Sequence, residues 1–139
     1  MLTPLTGGTN PLLIRTHYSD ERAWERFQET LRDLVAQGLP VEVRIVDDPA
    51  YRDFTPERLM SVVLETDDDG DAFLFVADGA ALEGEHPVLV LGLRDEDRGR
   101  AFRVVASELP GVESNLSLGN MDFEEFADGT DEDGVFRGF

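Results

Sequence analysis

Asp47 and Asp48 stand together and Asp78 follows later, each directly after an apolar segment that reads as a β-strand. Carboxylates are hard oxygen donors, and three of them in one crevice could hold Mg²⁺ or Ca²⁺, with water completing the shell. In open α/β sheets such a crevice lies beyond the carboxyl ends of the strands. Thr16 and His17 follow the first predicted strand and would stand there too, so His17 could act as a general base with Asp47 or Asp48. Turn formation is the competing use of the same residues, because Asp47-Asp48-Pro49-Ala50 and Asp78-Gly79 are turn-forming sequences. His86, ahead of Pro87 and a strand, reads as structural.

A second constellation lies further along the chain. Asp122, Glu124, Glu125, Asp128, Asp131, Glu132 and Asp133 alternate with Phe123, Phe126, Phe136 and Phe139. Acidic residues around apolar anchors suit a basic protein surface, where charge steers approach and aromatic side chains supply contact energy. Asp122, Phe123, Glu124, Glu125, Asp128, Asp131, Glu132 and Asp133 are therefore the expected partner-binding residues. The competing reading is a final helix and strand that close the core.

Nucleophilic catalysis finds little support. Cysteine is absent, which removes disulfides, thiolate chemistry and cysteine metal sites. All 12 basic residues are arginine, so Schiff-base chemistry and a phosphate-loop lysine are excluded within this chain. There is no Gly-x-Ser-x-Gly elbow, and the serines fall at helix caps or inside helices. No catalytic residue is expected, and a non-enzymatic role is favoured.

The formal charge of the 139 residues is −18, unevenly placed. Residues 1–58 carry ten acids against seven arginines, whereas residues 59–139 carry twenty against five, a net of −15. Such a field repels nucleic acid and anionic membrane surfaces. It favours a basic protein or a divalent cation, or else serves only solubility. The turn Thr16 to Asp20 has no glycine and puts acids at a helix start, which disfavours a dinucleotide phosphate. No apolar run approaches the ~18 residues of a membrane helix. Met1-Leu2-Thr3-Pro4 lacks a basic and an apolar region, so a cytoplasmic setting is expected.

Two known metal sites resemble parts of this pattern. The acids at the strand ends are similar to the pocket of phospho-acceptor receiver domains. The pair here follows the second strand rather than the first, and the lysine of those domains is missing. Asp67-Asp68-Asp69-Gly70-Asp71 resembles an EF-hand loop, with Glu65, Asp67 and Asp69 at ligand positions, but the bidentate position falls on Val76 inside a predicted strand. Asp131-Glu132-Asp133-Gly134 also falls short, because the chain ends before that position.

The elements that must position these residues follow from periodicity. Pro11 to Arg15 reads as a short buried strand. Ser19 and Asp20 are capping types, after which Trp24, Phe27, Leu31, Leu34 and Val35 recur at helical spacing until Gly38 and Pro40. Val41, Val43 and Ile45 alternate with Glu42 and Arg44, predicting an edge strand with one wet face. Thr55-Pro56 starts a helix burying Leu59, Met60, Val63 and Leu64. Ala72 to Ala77 is apolar on both faces, as a central parallel strand is. Val88 to Leu93 reads the same way and should form an antiparallel hairpin with Phe102 to Ala106. Ser107 is expected to cap a helix through Leu118, and Asn120 a shorter one carrying Phe123 and Phe126.

The expected fold is α/β: a three-layer sandwich with a mixed, mostly parallel five-stranded sheet, a C-terminal antiparallel hairpin and C-terminal helices. Residues 1–10, with Gly7-Gly8-Thr9-Asn10, read as a flexible leader to a single α/β domain over 11–139, with Phe136 docked on it. The stretch Asn115-Leu116-Ser117-Leu118-Gly119-Asn120-Met121-Asp122-Phe123-Glu124-Glu125-Phe126-Ala127-Asp128, with Asp133-Gly134-Val135-Phe136-Arg137-Gly138-Phe139, resembles the C-terminal signature of a family of small acidic actinobacterial proteins. Val46-Asp47-Asp48-Pro49 and Phe73-Leu74-Phe75-Val76-Ala77-Asp78 are similar to its other recurring stretches. That resemblance implies a cytoplasmic bacterial setting and carries no activity. The functional expectation is an acidic, immunity- or regulator-like module binding a basic protein. A divalent-metal site at Asp47, Asp48 and Asp78 is the alternative, and otherwise no cofactor is expected.

Overall fold

The computed structural model describes residues 11–66, 73–94, 96–97 and 100–138, with residues 64–66 as backbone only. The predicted leader, the Asp67–Asp71 acidic run and Phe139 lie outside the described residues. Ten elements make the fold: β1 (Leu12–Arg15), α1 (Glu21–Ala36), β2 (Arg44–Val46), α2 (Pro56–Thr66), β3 (Phe73–Ala77), β4 (Val88–Gly92), β5 (Ala101–Val104), α3 (Leu109–Ser117), α4 (Phe123–Asp128) and β6 (Val135–Phe136).

The protein is α/β, built on a mixed sheet of six strands in the order β2-β1-β3-β4-β5-β6. Five strands were expected, and the sixth is β6, which pairs parallel to β5 through Arg103↔Val135 and Val104↔Phe136. A two-residue strand carries little ladder energy. Its hold comes from burying Phe136 among Phe126 and its neighbours, worth roughly 1.5–3 kcal/mol. β1 lies parallel to both β2 and β3, and β4 runs antiparallel to β3 as well as to β5. The expected β4–β5 hairpin therefore forms. β4, however, is the one reversed strand, since its apolar run reports burial on both faces and not direction.

Alternate residues of the strands feed two clusters. Leu13, Phe75, Val90 and Phe102 pack against Trp24 and Phe27 of α1, Leu109 and Val112 of α3, and Phe123 and Phe126 of α4. Leu12, Ile14, Leu74, Val76 and Leu89 pack against Tyr51 and against Leu59 and Val63 of α2. Asp20 caps α1 by accepting from the Ala23 N–H at 3.1 Å, and Gly38 follows its end at φ +82°. Val35, expected inside, is 54% exposed, and Ile45 is 40% exposed. β2 sits at the sheet edge as expected, but its dry face is only partly covered because nothing described lies beyond it.

Two cap expectations are corrected. Ser107 lies in a 3₁₀ turn, Ala106–Glu108, ahead of α3, and Asp122 rather than Asn120 caps α4. The Glu125 carboxylate returns to accept the Asp122 N–H at 3.2 Å, a contact that Asn120 lies too far upstream to make. Among the described residues no helix is long and apolar enough to cross a membrane.

Candidate functional site

The carboxyl ends of β1, β2 and β3 bring Arg15, Asp47 and Asp78 to the same end of the sheet, and arginines dominate the chemistry there. Arg15 is 2% exposed although it ends an apolar strand. Its Nη2 donates to Glu21 at 2.7 Å, its Nη1 to Asp47 at 3.3 Å and its Nε to the His17 carbonyl at 3.0 Å. The guanidinium carbon also lies 4.1 Å from the Tyr18 ring centroid and 4.7 Å from that of Trp24. Asp47 accepts a further bond from the Tyr18 hydroxyl at 3.0 Å. Burial first, and then that donated hydrogen bond, push the Tyr18 phenol well above its usual range.

The other two expected metal ligands are committed elsewhere. Asp48 accepts from the Ala50 N–H at 3.0 Å and caps the turn Pro49–Tyr51. Asp78 receives a two-pronged bond from Arg103, at 3.0 Å and 2.7 Å, and accepts the Ala81 N–H at 3.1 Å. Among the described residues no group of three or more acids or histidines stands close enough to hold a metal ion. Asp47, Asp48 and Asp78 are thus not brought together, because each answers a donor on its own side. His17 bonds Ser19 Oγ through Nε2 at 3.0 Å, and its ring lies against Gly79. His86 packs edge-on to Phe27 and bonds the Ala81 carbonyl at 3.0 Å, which is a structural role.

The acidic segment behaves differently. Asp122, Glu124, Glu125, Asp128, Asp131, Glu132 and Asp133 are all exposed along α4 and the loop into β6, at the sheet edge opposite β2. Phe123, named with them, is buried against Phe102 with ring centroids 5.0 Å apart. It fixes α4 rather than offering a contact face, and Phe126 and Phe136 are buried likewise. Two arginines answer the acids. Arg100 reaches Asp128 at 3.2 Å and Glu124 at 3.9 Å. Arg137 meets Asp133 at 2.9 Å, Asp131 at 2.8 Å and Glu85 at 3.2 Å. These bonds hold Asp133 below the usual carboxylate range and raise Arg137 further above its own.

A feature not anticipated from sequence is an apolar groove of about 250 Å³ between α1 and the segment leading into β2, lined by Leu31, Val35, Val41, Val43 and Ile45 with Gln28 and Arg32 at its rim. The alternation Val41-Glu42-Val43-Arg44-Ile45 was the available signal. It predicts an edge strand with one wet face and says nothing of a groove.

No curated protein matches this sequence. Among solved structures the chain is similar to prolyl-tRNA synthetase from Cryptosporidium parvum, solved with halofuginone and AMPPNP, with a TM-score of 0.51 and 15% identity over 86% of this chain. It spans 24% of that protein's length, and at this identity the likeness is one of fold. Residues 10–139 match a family described as a domain of unknown function, DUF6924, and the chain belongs to that family.

Proposed function

We propose that this protein is a non-enzymatic acidic interaction module, immunity- or regulator-like, that binds a basic protein surface through α4 and the loop into β6. The observation that carries this reading is the exposure of all seven acids between Asp122 and Asp133, answered among the described residues by two arginines, Arg100 and Arg137. Glu124 and Asp128 share Arg100, and Asp131 and Asp133 share Arg137, so these acids lie in close pairs whose fields add within the Debye length of about 8 Å at physiological salt. The segment already receives a guanidinium: Asp131 and Asp133 clasp Arg137 from one loop. A partner's arginines would meet the same chemistry at Glu124, Glu125, Asp128 and Glu132. With Phe123 buried, binding is mainly electrostatic, which gives fast association and strong salt dependence.

Affinity capture tests this with the whole chain and a variant carrying Glu124→Gln, Glu125→Gln, Asp128→Asn and Glu132→Gln, whose side chains are exposed. Basic proteins of the source lysate should be retained at low salt, released at roughly 0.5 M salt and lost in the variant. Equal retention by the variant would reject the assignment.

A further inference from the structure

A second cavity, of about 140 Å³, opens beside the acidic segment, between the β4–β5 turn and the junction of α3 with α4. That is on the order of ten times the room one water needs. Its floor is apolar: Phe73 is buried, and Leu116 and Met121 pack half-buried against the core. Acids line the rest, Glu96 and Asp97 from the turn and Asp122 and Glu124 from the start of α4. Arg94 is the lining cation, while Arg100 is turned to Glu124 and Asp128. Asp97 is the informative member. It is half-buried, and among the described residues neither a hydrogen bond nor an ion pair reaches its carboxylate. Burial first, then Glu96, push that carboxyl above its usual range, and Asp122 adds to this against Arg94 and Arg100. An unpaired carboxylate in a partly desolvated place works against the fold, and side chains that do so concentrate where a ligand supplies the missing charge.

We propose that this cavity is a socket for one arginine side chain of the basic partner, its methylenes on Leu116 and Met121 and its guanidinium between Asp97 and Asp122. The socket rests on the acidic-face reading above and adds a point of specificity to a contact otherwise set by charge alone. Three features select this occupant. The acids do not form a group close enough to hold a bare metal ion among the described residues, so a larger organic cation suits their spacing better. An apolar floor under an acidic rim matches a side chain with an aliphatic stem and a charged head. A guanidinium sheds its water more readily than an ammonium, and its fork of donors can meet carboxylates that approach from two elements, the β4–β5 turn and α4. The socket is continuous with the proposed face, because Asp122 and Glu124 belong to both.

The test titrates the full chain with N-acetyl-arginine amide and follows its backbone amides by NMR. A saturable response is expected, centred on Asp97, Gly119 and Asp122, which line the cavity. N-acetyl-citrulline amide, in which an uncharged urea replaces the guanidinium, should give none, and N-acetyl-lysine amide should bind more weakly. Asp97→Asn should weaken the arginine amide at least about tenfold, with a thermal melt confirming that the variant folds. Shifts spread over α4 and the β6 loop without a centre at the cavity overturn the proposal. So do equal binding of the lysine or citrulline amide and an affinity that Asp97→Asn leaves unchanged. Asp97 is not among the four acids changed in the capture experiment, so the two readings fail separately. Retention of basic proteins that is lost with those four acids but unaltered by Asp97→Asn overturns the socket and leaves the wider face standing. A chain that retains no basic protein yet binds the arginine amide at Asp97 overturns the face alone.

Discussion

Arg103 of β5 grips Asp78 with both prongs of its guanidinium, Nη1 to Oδ1 at 3.0 Å and Nη2 to Oδ2 at 2.7 Å, while Nη1 also donates to the Pro87 carbonyl at 2.9 Å. β4 lies between the two strands, so this pair ties β5 to the end of β3 across it. The hydrogen bond, ahead of the opposing effect of burial, raises Arg103 further above its usual range. Asp78→Asn keeps the shape but loses the charge-assisted fork, and about 1–2 kcal/mol of stability should go with it. Arg103→Lys should lose a similar amount, since an ammonium cannot make both bonds in one plane. Urea unfolding of the two variants measures this. A change within error in both would remove the pair's structural role.

Gly92, the last residue of β4, is fixed by a close approach. A Cβ there would lie 2.6 Å from the Asp97 Cβ and 2.8 Å from the Asp97 carbonyl oxygen. The second of these atoms is backbone and cannot rotate away. Gly92→Ala must therefore push the β4–β5 turn outward, at about 1–3 kcal/mol. The thermal midpoint should fall, and hydrogen exchange should show the loss centred on β4 and β5.

Local pattern carried much of this fold and stopped at the contacts between elements. Trp24, Phe27, Leu31 and Leu34 marked α1 because helical spacing is a local property. Val35 looked like part of the same stripe, yet it is exposed, since no described element covers that side of α1 at the β2 edge. Phe136 was legible as a docked residue, but strand β6 was not, because two residues have no period and their pairing with β5 is long-range. Asp47 and Asp78 were correctly placed at strand ends. What they do there depends on Arg15 and Arg103, whose reach toward them no spacing rule reports. The acids of α4 were readable as exposed, because Phe123 and Phe126 fix which side of the helix faces inward.

Arg15 offers a sharper test of the strand-end network. It is buried between the rings of Tyr18 and Trp24, while its acid partners Glu21 and Asp47 remain well exposed. Removing the arginine therefore strands no buried carboxylate. The cost comes from the hole left between the rings and from the lost cation–π contact. Arg15→Ala should destabilise by about 2–4 kcal/mol and shift the emission of Trp24, the chain's single tryptophan. Arg15→Met, which refills the volume, should recover most of the stability. If alanine and methionine cost the same, the ion pairs rather than the packing hold the site.

The pH response of the β6 edge should oppose that of the β4–β5 turn. Asp133 is held below the usual carboxylate range, first by its hydrogen bond from Arg137 and then by the Val135 N–H at 3.2 Å. A depressed folded-state pKa gives stability that is present above the ordinary carboxylate range and is lost as pH falls through the lowered value. Protection of the amides joining β5 to β6, Arg103 N–H to the Gly134 carbonyl and Val105 N–H to the Phe136 carbonyl, should therefore weaken below about pH 4. Asp133→Asn should flatten that dependence. Asp97 has the opposite sign: burial, and then Glu96, raise its carboxyl. Its contribution is present below the ordinary range and is lost as pH rises through the raised value, so ionised Asp97 works against the turn. Asp97→Asn should stabilise the chain at neutral pH and change little in acid, as followed by urea unfolding across pH. A variant equally stabilised at both ends of that range would show that the gain came from something other than the removed charge.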